Sequence, residues 1–457
     1  MILEFSHIVG VLFTLVLITG IIVLSCRQVE NAKDFALGGG KASGFMVSGA
    51  IIGTLVGGAS TIGTAQLAFS YGFSALWFCL GAGLGCLVLG MFFVKPMRHS
   101  GYLTLQEMIR SEYGEKAGFL CSLLGTLGIF FNIIAQILSG RALLMTMFPI
   151  SEILSAVLVA FFMIAFVVFG GMRGLGKVGT IKTVMLYVCT ILCVLIVLYK
   201  SGGFNAIYHA LPQEKYFNLF ARGIGIDAGA GLSLIVGVLS TQTYAQSVLS
   251  AKSDRAAVQG TLISSLLIPP IGLGSVFVGL YMRNIYPKME ASQVFPQFLL
   301  HNIPGFAAGI FLAVLLVTII GCGAGLALGI SSVIINNFYK ENNEQKKLIK
   351  SRIIIVAVLS IAAVFTIGDL ESIILQWSFM SMGLRGAVLF LPLIGALFFQ
   401  GKVPAVAVIL SIIIGPLFVL LGKIGMNLPF DSLFLGLAMN VLILASGLFY
   451  KRFVKKQ

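Results

Sequence analysis

The sequence has very little charge. Asp, Glu, Lys and Arg make up only 10% of its 457 residues, whereas 58% are hydrophobic and the mean hydropathy is +1.04. So few charged side chains cannot cover the surface of a soluble protein of this length. The composition therefore indicates a polytopic membrane protein, which argues against a nucleic-acid-binding module, a secreted disulfide scaffold and a cytosolic enzyme.

Residues that bind metals or carry catalysis are also scarce. The seven cysteines form no CxxC pair, and the four histidines lie far apart near the ends of apolar runs. The acidic residues fall in predicted loops or at the ends of these runs, so no His-acid or Cys-His site can be assembled within the membrane. We therefore predict no enzyme activity, no resident metal and no cofactor beyond a coupling ion, Na⁺ or H⁺.

The apolar runs are long enough to cross a bilayer, which takes about 20 helical residues. Thirteen runs can be drawn, and they predict an all-α protein with thirteen transmembrane helices. The predicted spans are approximately 6–25, 44–70, 73–95, 116–146, 150–170, 178–199, 228–250, 258–282, 305–337, 350–368, 372–399, 403–422 and 431–450.

The positions of the basic residues predict the orientation. Most of the 30 Lys and Arg residues fall in alternate connecting segments, and basic residues concentrate on the cytoplasmic side of membrane proteins. This pattern places the N-terminus outside and the C-terminus in the cytoplasm. The leader before the first span carries Glu4 and no basic residue, so we interpret that span as a retained helix of a multi-pass cell-membrane protein.

Two spans are interrupted at mid-membrane by small and polar residues. These are Gly53–Ser60 in the second span and Gly237–Gln246 in the seventh, five spans later. Interrupted helices at matching positions of two halves are typical of inverted-repeat transporters, because unwound backbone is tolerated only where it lines a cavity. The alternative is that both segments are continuous helices in which glycine allows close helix packing.

Several motifs resemble the sodium:solute symporter family. They are Asp34–Gly40, Ser60–Phe73, Leu103–Glu107, Gly170–Gly171 and Thr241–Ser253. The resemblance covers nearly the whole chain and implies a LeuT-type fold, with a five-plus-five inverted repeat, one extra N-terminal helix and two extra C-terminal helices. It leaves the solute open, since members carry sugars, amino acids, vitamins, carboxylates, nucleosides and ions.

This resemblance also implies the domain organisation. The first helix and a cytoplasmic loop would occupy residues 1–43, and the first five-helix repeat residues 44–199. The second repeat would occupy residues 228–399, and the two last helices with a short tail residues 400–457.

The resemblance implies a sodium site whose ligands are largely missing. Family members hold sodium with two backbone carbonyls of the second span, and with a carbonyl and two hydroxyls of the ninth. The carbonyls fall on Gly53, Val56 and Thr318, whereas the hydroxyl positions are Gly321 and Cys322. On the sixth span the family Asp falls on Gly179 and the family Gln on Lys182. Because sodium needs hard oxygen ligands, the site is degenerate.

Lys182 is the candidate coupling residue. A Lys at this depth is costly, about 2.5–3.5 kcal/mol on insertion scales. We therefore expect its ammonium to replace sodium and to donate to the carbonyls of Gly53, Val56 and Thr318, as is known for some proton-coupled transporters of the wider architecture. Loss and gain of its proton would then couple to opening and closing. The alternative is that Lys182 snorkels to the inner membrane surface.

Arg385 is the candidate for binding an anionic solute. It lies well inside the eleventh span, and no acid is predicted at that depth. Its planar guanidinium suits a carboxylate. The alternatives are a structural Arg that caps carbonyls and a gate residue paired with Asp369 or Glu371. Arg141 lies nearer a span end and has less weight.

Other polar side chains in the predicted central spans are weaker candidates for solute contacts. The third span offers almost nothing polar, which argues against a sugar as the solute. Each candidate could instead form a helix-helix hydrogen bond. The candidates are Ser60, Gln66, Asn132, Gln136, Gln242, Tyr244, Gln376 and Ser381.

The sequence therefore predicts a secondary active transporter of a small, carboxylate-bearing solute, either proton-coupled or sodium-independent through Lys182. A second hypothesis is sodium symport through a rebuilt site that uses Thr180 or Thr183. A third is a transporter-like solute sensor, although the tail Lys451–Gln457 is too short for a signalling domain. The predicted partners are the lipid bilayer and the solute, without nucleic acid; the oligomeric state is left open.

Overall fold

A computed structural model of the protein describes residues 3–26, 40–339, 343–367, 373–424 and 428–454. Within these ranges the regular elements are helices, and one isolated β-bridge joins Ala42 to Ala251. The motif residues 34–39 lie outside the described ranges. The architecture is therefore all-α, as the apolar composition predicts.

The α-helices are numbered in chain order. They are α1 (Phe5–Cys26), α2 (Gly44–Leu55), α3 (Thr64–Tyr71), α4 (Trp77–Val88), α5 (Val94–His99), α6 (Leu105–Tyr113), α7 (Glu115–Met147), α8 (Glu152–Ser201), α9 (Phe204–Ala210), α10 (Gln213–Tyr216), α11 (Ile224–Leu239), α12 (Gln242–Leu249), α13 (Asp254–Ile285), α14 (Val294–Asn302), α15 (Gly305–Phe338), α16 (Glu344–Phe365), α17 (Ile374–Phe398), α18 (Ala405–Ile424) and α19 (Leu433–Val454).

Both predicted interruptions are present. The second span consists of α2, a non-helical step at residues 56–58, a π-helical turn Ala59–Gly63 and α3. The seventh span consists of α11 and α12, which meet at an angle of 47°. Among the described residues, nine helices are long and apolar enough to cross a membrane, or ten if this bent pair is one span. The count of thirteen and the orientation stay predictions, as do the domain boundaries.

The predicted fifth and sixth spans are joined in the single helix α8. A Cβ on Gly321 would lie 3.5 Å from Lys182 Nζ and 3.9 Å from Phe166 Cζ. In a straight helix these two residues would be about 24 Å apart along the axis. Because both reach Gly321, α8 cannot be straight between them, and it presents two arms to α15.

The helix α15 forms the centre of the bundle. In its most apolar window 94% of the residues are buried, whereas the corresponding share is 17% in the peripheral α19. The second span packs along α8 and the seventh packs along α17. These two pairs involve the second and sixth, and the seventh and eleventh, predicted spans. They are therefore equivalent under a five-span repeat, and the two helix breaks lie inside the bundle.

Candidate functional site

The break in the second span leaves backbone groups that no helix satisfies. The backbone at Val56 is extended, with φ −83° and ψ 101°. Helical hydrogen bonding is therefore interrupted inside the protein, where an unpaired carbonyl or amide is expensive. The side chains that satisfy these groups define the site.

Lys182 satisfies the carbonyls at the positions predicted to correspond to the family's sodium site. Its Nζ atom donates to the carbonyl oxygens of Gly53 at 2.7 Å, Val56 at 3.1 Å and Thr318 at 3.3 Å. The side chain is 1% exposed. These are the three carbonyls expected from the sequence, and because the amine points inward, the snorkelling alternative does not describe this conformation.

Other side chains complete the break. The Cys322 thiol occupies one predicted hydroxyl position and donates to the Thr54 carbonyl at 2.7 Å. Gly321, the other hydroxyl position, has no side chain to offer. The remaining contacts are Gly57 N to Ser60 Oγ at 2.9 Å, Ser60 Oγ to Gly57 O at 3.0 Å and Gly58 N to Gln136 Oε1 at 2.7 Å.

Gly179, the position predicted to correspond to the family Asp, has no room for a side chain. A Cβ on Gly179 would lie 2.0 Å from the carbonyl oxygen of Gly49, so any side chain there would force α8 away from α2. Close approach of these helices is what brings the Lys182 amine to the break. Gly179 is therefore needed for packing, and an Asp cannot be restored there without moving a helix.

We expect Gly179→Ala to destabilise the protein and Gly176→Ala, on the same helix face, to be tolerated. A Cβ on Gly176 would lie 3.6 Å from the nearest atom, Met46 O, which is an ordinary contact. Overpacking costs about 1–3 kcal/mol or more. Thermal unfolding in detergent checks this, with Gly176→Ala as the matched control. Equal unfolding temperatures for the two variants would contradict the described packing.

Arg385 is fully buried, and its hydrogen-bond partners among the described residues are neutral groups. Its guanidinium donates to Ser381 O at 3.1 Å, Ser381 Oγ at 3.0 Å, Thr241 Oγ1 at 2.7 Å and Met382 Sδ at 3.0 Å. In the part of the chain that the structure describes, no carboxylate forms an ion pair with it. The gate alternative depends on Asp369 and Glu371, which lie outside the described residues.

Most of the other solute-contact candidates bond to the protein itself. Gln66 Oε1 accepts from Ile374 N at 3.1 Å, and Gln242 bonds to the backbone of Leu103 and Leu105, both at 3.0 Å. These contacts favour structural roles in this conformation, and a solute role stays a prediction. The others are Ser381, whose hydroxyl donates to Gly128 O, Asn132 and Gln136, which bond to each other at 3.3 Å, and Tyr244, whose buried hydroxyl has no partner among the described atoms.

A cavity of about 460 Å³ opens at the end of the bundle that the charge pattern places outside. Gln376 is the candidate that lines it, and Phe379 and Arg222 form part of its wall, with the guanidinium 5.6 Å from the ring centre. Because Phe379 and Arg385 are both on α17, the cavity lies about two turns from Arg385. The lining residues are Leu67, Tyr71, Ala221, Arg222, Ile226, Ala230, Ile373, Leu375, Gln376, Phe379, Lys423 and Asp431.

Two ion pairs near the ends of the bundle were not identified from the sequence. Asp227 is fully buried and lies 2.6 Å from the Arg222 guanidinium. At the predicted cytoplasmic end, Arg98 lies 2.7 Å from Asp254 and donates to two carbonyls, that of Val248 in the last turn of α12 and that of Ala251 just after it. The proximity of Asp227 to Arg222 in sequence could have suggested the first pair. The partners of the second are over 150 positions apart, and no local pattern indicates them.

Comparisons with known proteins agree with this architecture. The family model described as sodium:solute symporter family matches residues 35–415. A sodium/pantothenate symporter of Haemophilus influenzae is 24% identical over 86% of this chain and 85% of its own length. The human high affinity choline transporter 1 is 23% identical over 86% of this chain and 72% of its own length.

A solved structure supports the fold. The structure of a Na⁺-coupled sialic acid symporter in a substrate-bound outward-open state has a TM-score of 0.82 to this chain, at 17% identity over 98% of this chain and 97% of that one. That likeness shows the LeuT-type fold. Because the family model matches most of its length, the chain belongs to the sodium:solute symporter family.

Proposed function

We propose that this family member is a proton-coupled transporter, in which the Lys182 ammonium takes the place of the sodium ion. Its cargo would be a small carboxylate-bearing solute, moved by alternating access. Membership of a family of solute transporters supports transport in general. The proposals for the coupling ion and for the charge of the solute rest on the geometry of two buried basic residues, Lys182 and Arg385.

The observation that carries the coupling proposal is a match between donors and acceptors. An ammonium group has three N–H donors and accepts no hydrogen bond. The Lys182 amine is within hydrogen-bonding distance of three carbonyls, one for each donor. A sodium ion at this position would compete with the amine for the same oxygens and would lack both hydroxyl ligands.

Loss of the proton would break this match. A neutral amine has two N–H donors, so one of the three buried carbonyls would lose its donor. Leaving a buried carbonyl unsatisfied costs about 1–3 kcal/mol. An alternative conformation that hydrates or re-pairs the carbonyl would then gain population, and such a difference between states is what coupling requires.

Few titratable groups act on the Lys182 amine. The helix α2, which carries Gly53, has no titratable residue, and α15 presents the Cys322 thiol. On α8 itself the nearest charged residue in sequence is Lys177. The other arm of α8 presents Phe166. With no acid among these groups, the proton of Lys182 is the charge that can change at the break.

The proposal of an anionic solute rests on uncompensated charge. Among the described residues, the buried Lys, Arg, Asp and Glu side chains are Lys182, Arg385 and Asp227, and Asp227 is paired with Arg222. A buried charge without a counter-ion is costly. A carboxylate on the solute would supply the counter-ion that Arg385 lacks.

The sodium-site alternative receives less support. Thr180 Oγ1 donates to Gly176 O at 2.9 Å and Thr183 Oγ1 donates to Gly179 O at 2.6 Å, so both hydroxyls bond to their own helix. Neither hydroxyl replaces the ones missing at Gly321 and Cys322.

Uptake into proteoliposomes tests the proposal. In sodium-free choline medium, with the outside of the vesicles made more acidic than the inside, we expect accumulation of pantothenate or sialic acid, both carboxylates. We expect no accumulation of the sialic acid methyl ester. Arg385→Lys should weaken apparent affinity for the acid about tenfold or more, because the planar fork is lost. Arg283→Lys, at the partly exposed end of α13, is the matched control. Equal uptake of acid and ester would contradict the anionic solute.

A further inference from the structure

A chain of buried hydrogen bonds connects the break of the second span to α17. Gln136 Oε1 accepts from Gly58 N at 2.7 Å, and Gln136 Nε2 donates to Asn132 Oδ1 at 3.3 Å. Ser378 Oγ donates to the same Asn132 oxygen at 3.1 Å. All three side chains are buried, each at most 3% exposed. We call Gln136, Asn132 and Ser378 the amide chain.

One end of the amide chain contacts the backbone of the break. Gly58 is two residues from Val56, whose carbonyl accepts from the Lys182 amine. Both residues belong to the same non-helical step, so a shift of the Val56 carbonyl also moves the Gly58 amide. The hydrogen bond from Gly58 to Gln136 is therefore sensitive to the charge of Lys182.

The other end holds the helix that borders the outer cavity. Ser378 lies on α17, next to Phe379, and the start of this helix supplies Leu375, Gln376 and the N-cap residue Ile373 to the cavity wall. Arg385 follows Ser378 by seven residues, which is about two turns along the same face. A change in the bond at Ser378 therefore affects both the cavity and the buried guanidinium.

We infer that Gln136 and Asn132 are positioning residues that couple the charge of Lys182 to the position of α17. This inference rests on the proposed function of Lys182. When the Lys182 amine is protonated, the break is fixed and the amide chain holds α17 in the described arrangement. When the proton leaves, the break shifts, Gly58 and Gln136 separate, and α17 is released from α7. The two amides would thus link the ion site to the solute path.

Accessibility of Gln376→Cys to a charged, impermeant thiosulfonate reagent tests this without knowledge of the solute. Gln376 is exposed in the cavity, and the described cysteines are buried. Cys26 is replaced by Ser in all proteins. Glu214→Cys, on the predicted outer face, supplies the intrinsic reaction rate at each pH. The described arrangement, in which position 376 is exposed, is the one held when Lys182 is protonated. After division by the rate of Glu214→Cys, we therefore expect the rate of Gln376→Cys to be about fivefold higher at acidic than at alkaline pH.

The same assay distinguishes the amide chain from Lys182 itself. We expect Gln136→Met and Ser378→Ala, added singly, to remove the pH dependence as fully as Lys182→Gln does, and the double variant to go no further. Ser139→Ala is the matched control, since Ser139 lies on α7 beside the break but bonds to Ala135 of its own helix. Ser378→Ala removes a single hydroxyl, so it still tests the amide chain if Gln136→Met misfolds.

The outcomes separate two failures. If Lys182→Gln removes the pH dependence but both chain variants keep it, the amide chain is structural and the inference is overturned, while the coupling role of Lys182 stands. If the protein with native Lys182 shows no pH dependence, or shows one that Lys182→Gln leaves intact, the proposed coupling role fails and the inference fails with it.

Discussion

Lys182→Gln is expected to abolish solute accumulation driven by a pH gradient, with a loss of tenfold or more, or about 1.4 kcal/mol. A Gln amide has two N–H donors and is uncharged at every pH of the assay. It therefore cannot supply a third donor to the carbonyls of Gly53, Val56 and Thr318, and it cannot release a proton. Accumulation in sodium-free proteoliposomes under an imposed pH gradient measures the effect.

The matched control for this variant is Lys200→Gln. Lys200 lies on the same helix α8 but is exposed at its end, where its amine donates to Asn302 Oδ1 at 3.0 Å. We expect this substitution to leave accumulation unchanged. Exchange of solute without a gradient should persist in Lys182→Gln, because the solute path is intact. Accumulation that survives in Lys182→Gln would reduce the amine to a structural hydrogen-bond donor.

The second large effect is a gain of sodium binding when the missing ligands are restored. The variant combines Lys182→Gln, Gly321→Ser and Cys322→Ser. Removing the amine frees three carbonyls, and the two serines add the hydroxyl oxygens that a hard cation needs. A Cβ on Gly321 would lie 3.5 Å from Lys182 Nζ and 3.7 Å from Gly53 O, so the serine fits and points toward the vacated space.

Thermal unfolding in sodium chloride against choline chloride measures this gain. A bound ligand stabilises by mass action, by about 2.7 kcal/mol at a concentration 100 times its dissociation constant. We expect saturable sodium stabilisation of the triple variant and none of the unmodified protein. The control keeps Lys182→Gln and Gly321→Ser but carries Cys322→Ala, which removes one ligand. Sodium stabilisation of the unmodified protein would mean that Lys182 does not replace the ion.

Local sequence patterns were sufficient to locate both helix breaks. Small and polar residues interrupt apolar runs at Gly53–Ser60 and Gly237–Gln246, and the structure breaks helices within these segments. The alignment of family motifs also identified the carbonyls that accept from Lys182. These positions follow from residues near one another in sequence, or from a pattern that the family shares.

The partners of individual polar side chains could not be predicted in this way. Gln66 reaches Ile374 N, and Gln242 reaches the backbone of Leu103 and Leu105, so side chains proposed as solute contacts are engaged by distant segments.

The sequence alone determined that this chain is a membrane protein with interrupted helices, and it predicted that Lys182 lies at an ion site without its hydroxyl ligands. Composition and spacing carry this information because the bilayer penalises charge and unpaired backbone wherever they occur. Tertiary structure decided that the amine meets three carbonyls and that Gly179 leaves no room for an acid. Those outcomes depend on the distance between helices, which is set by close packing of residues far apart in the chain.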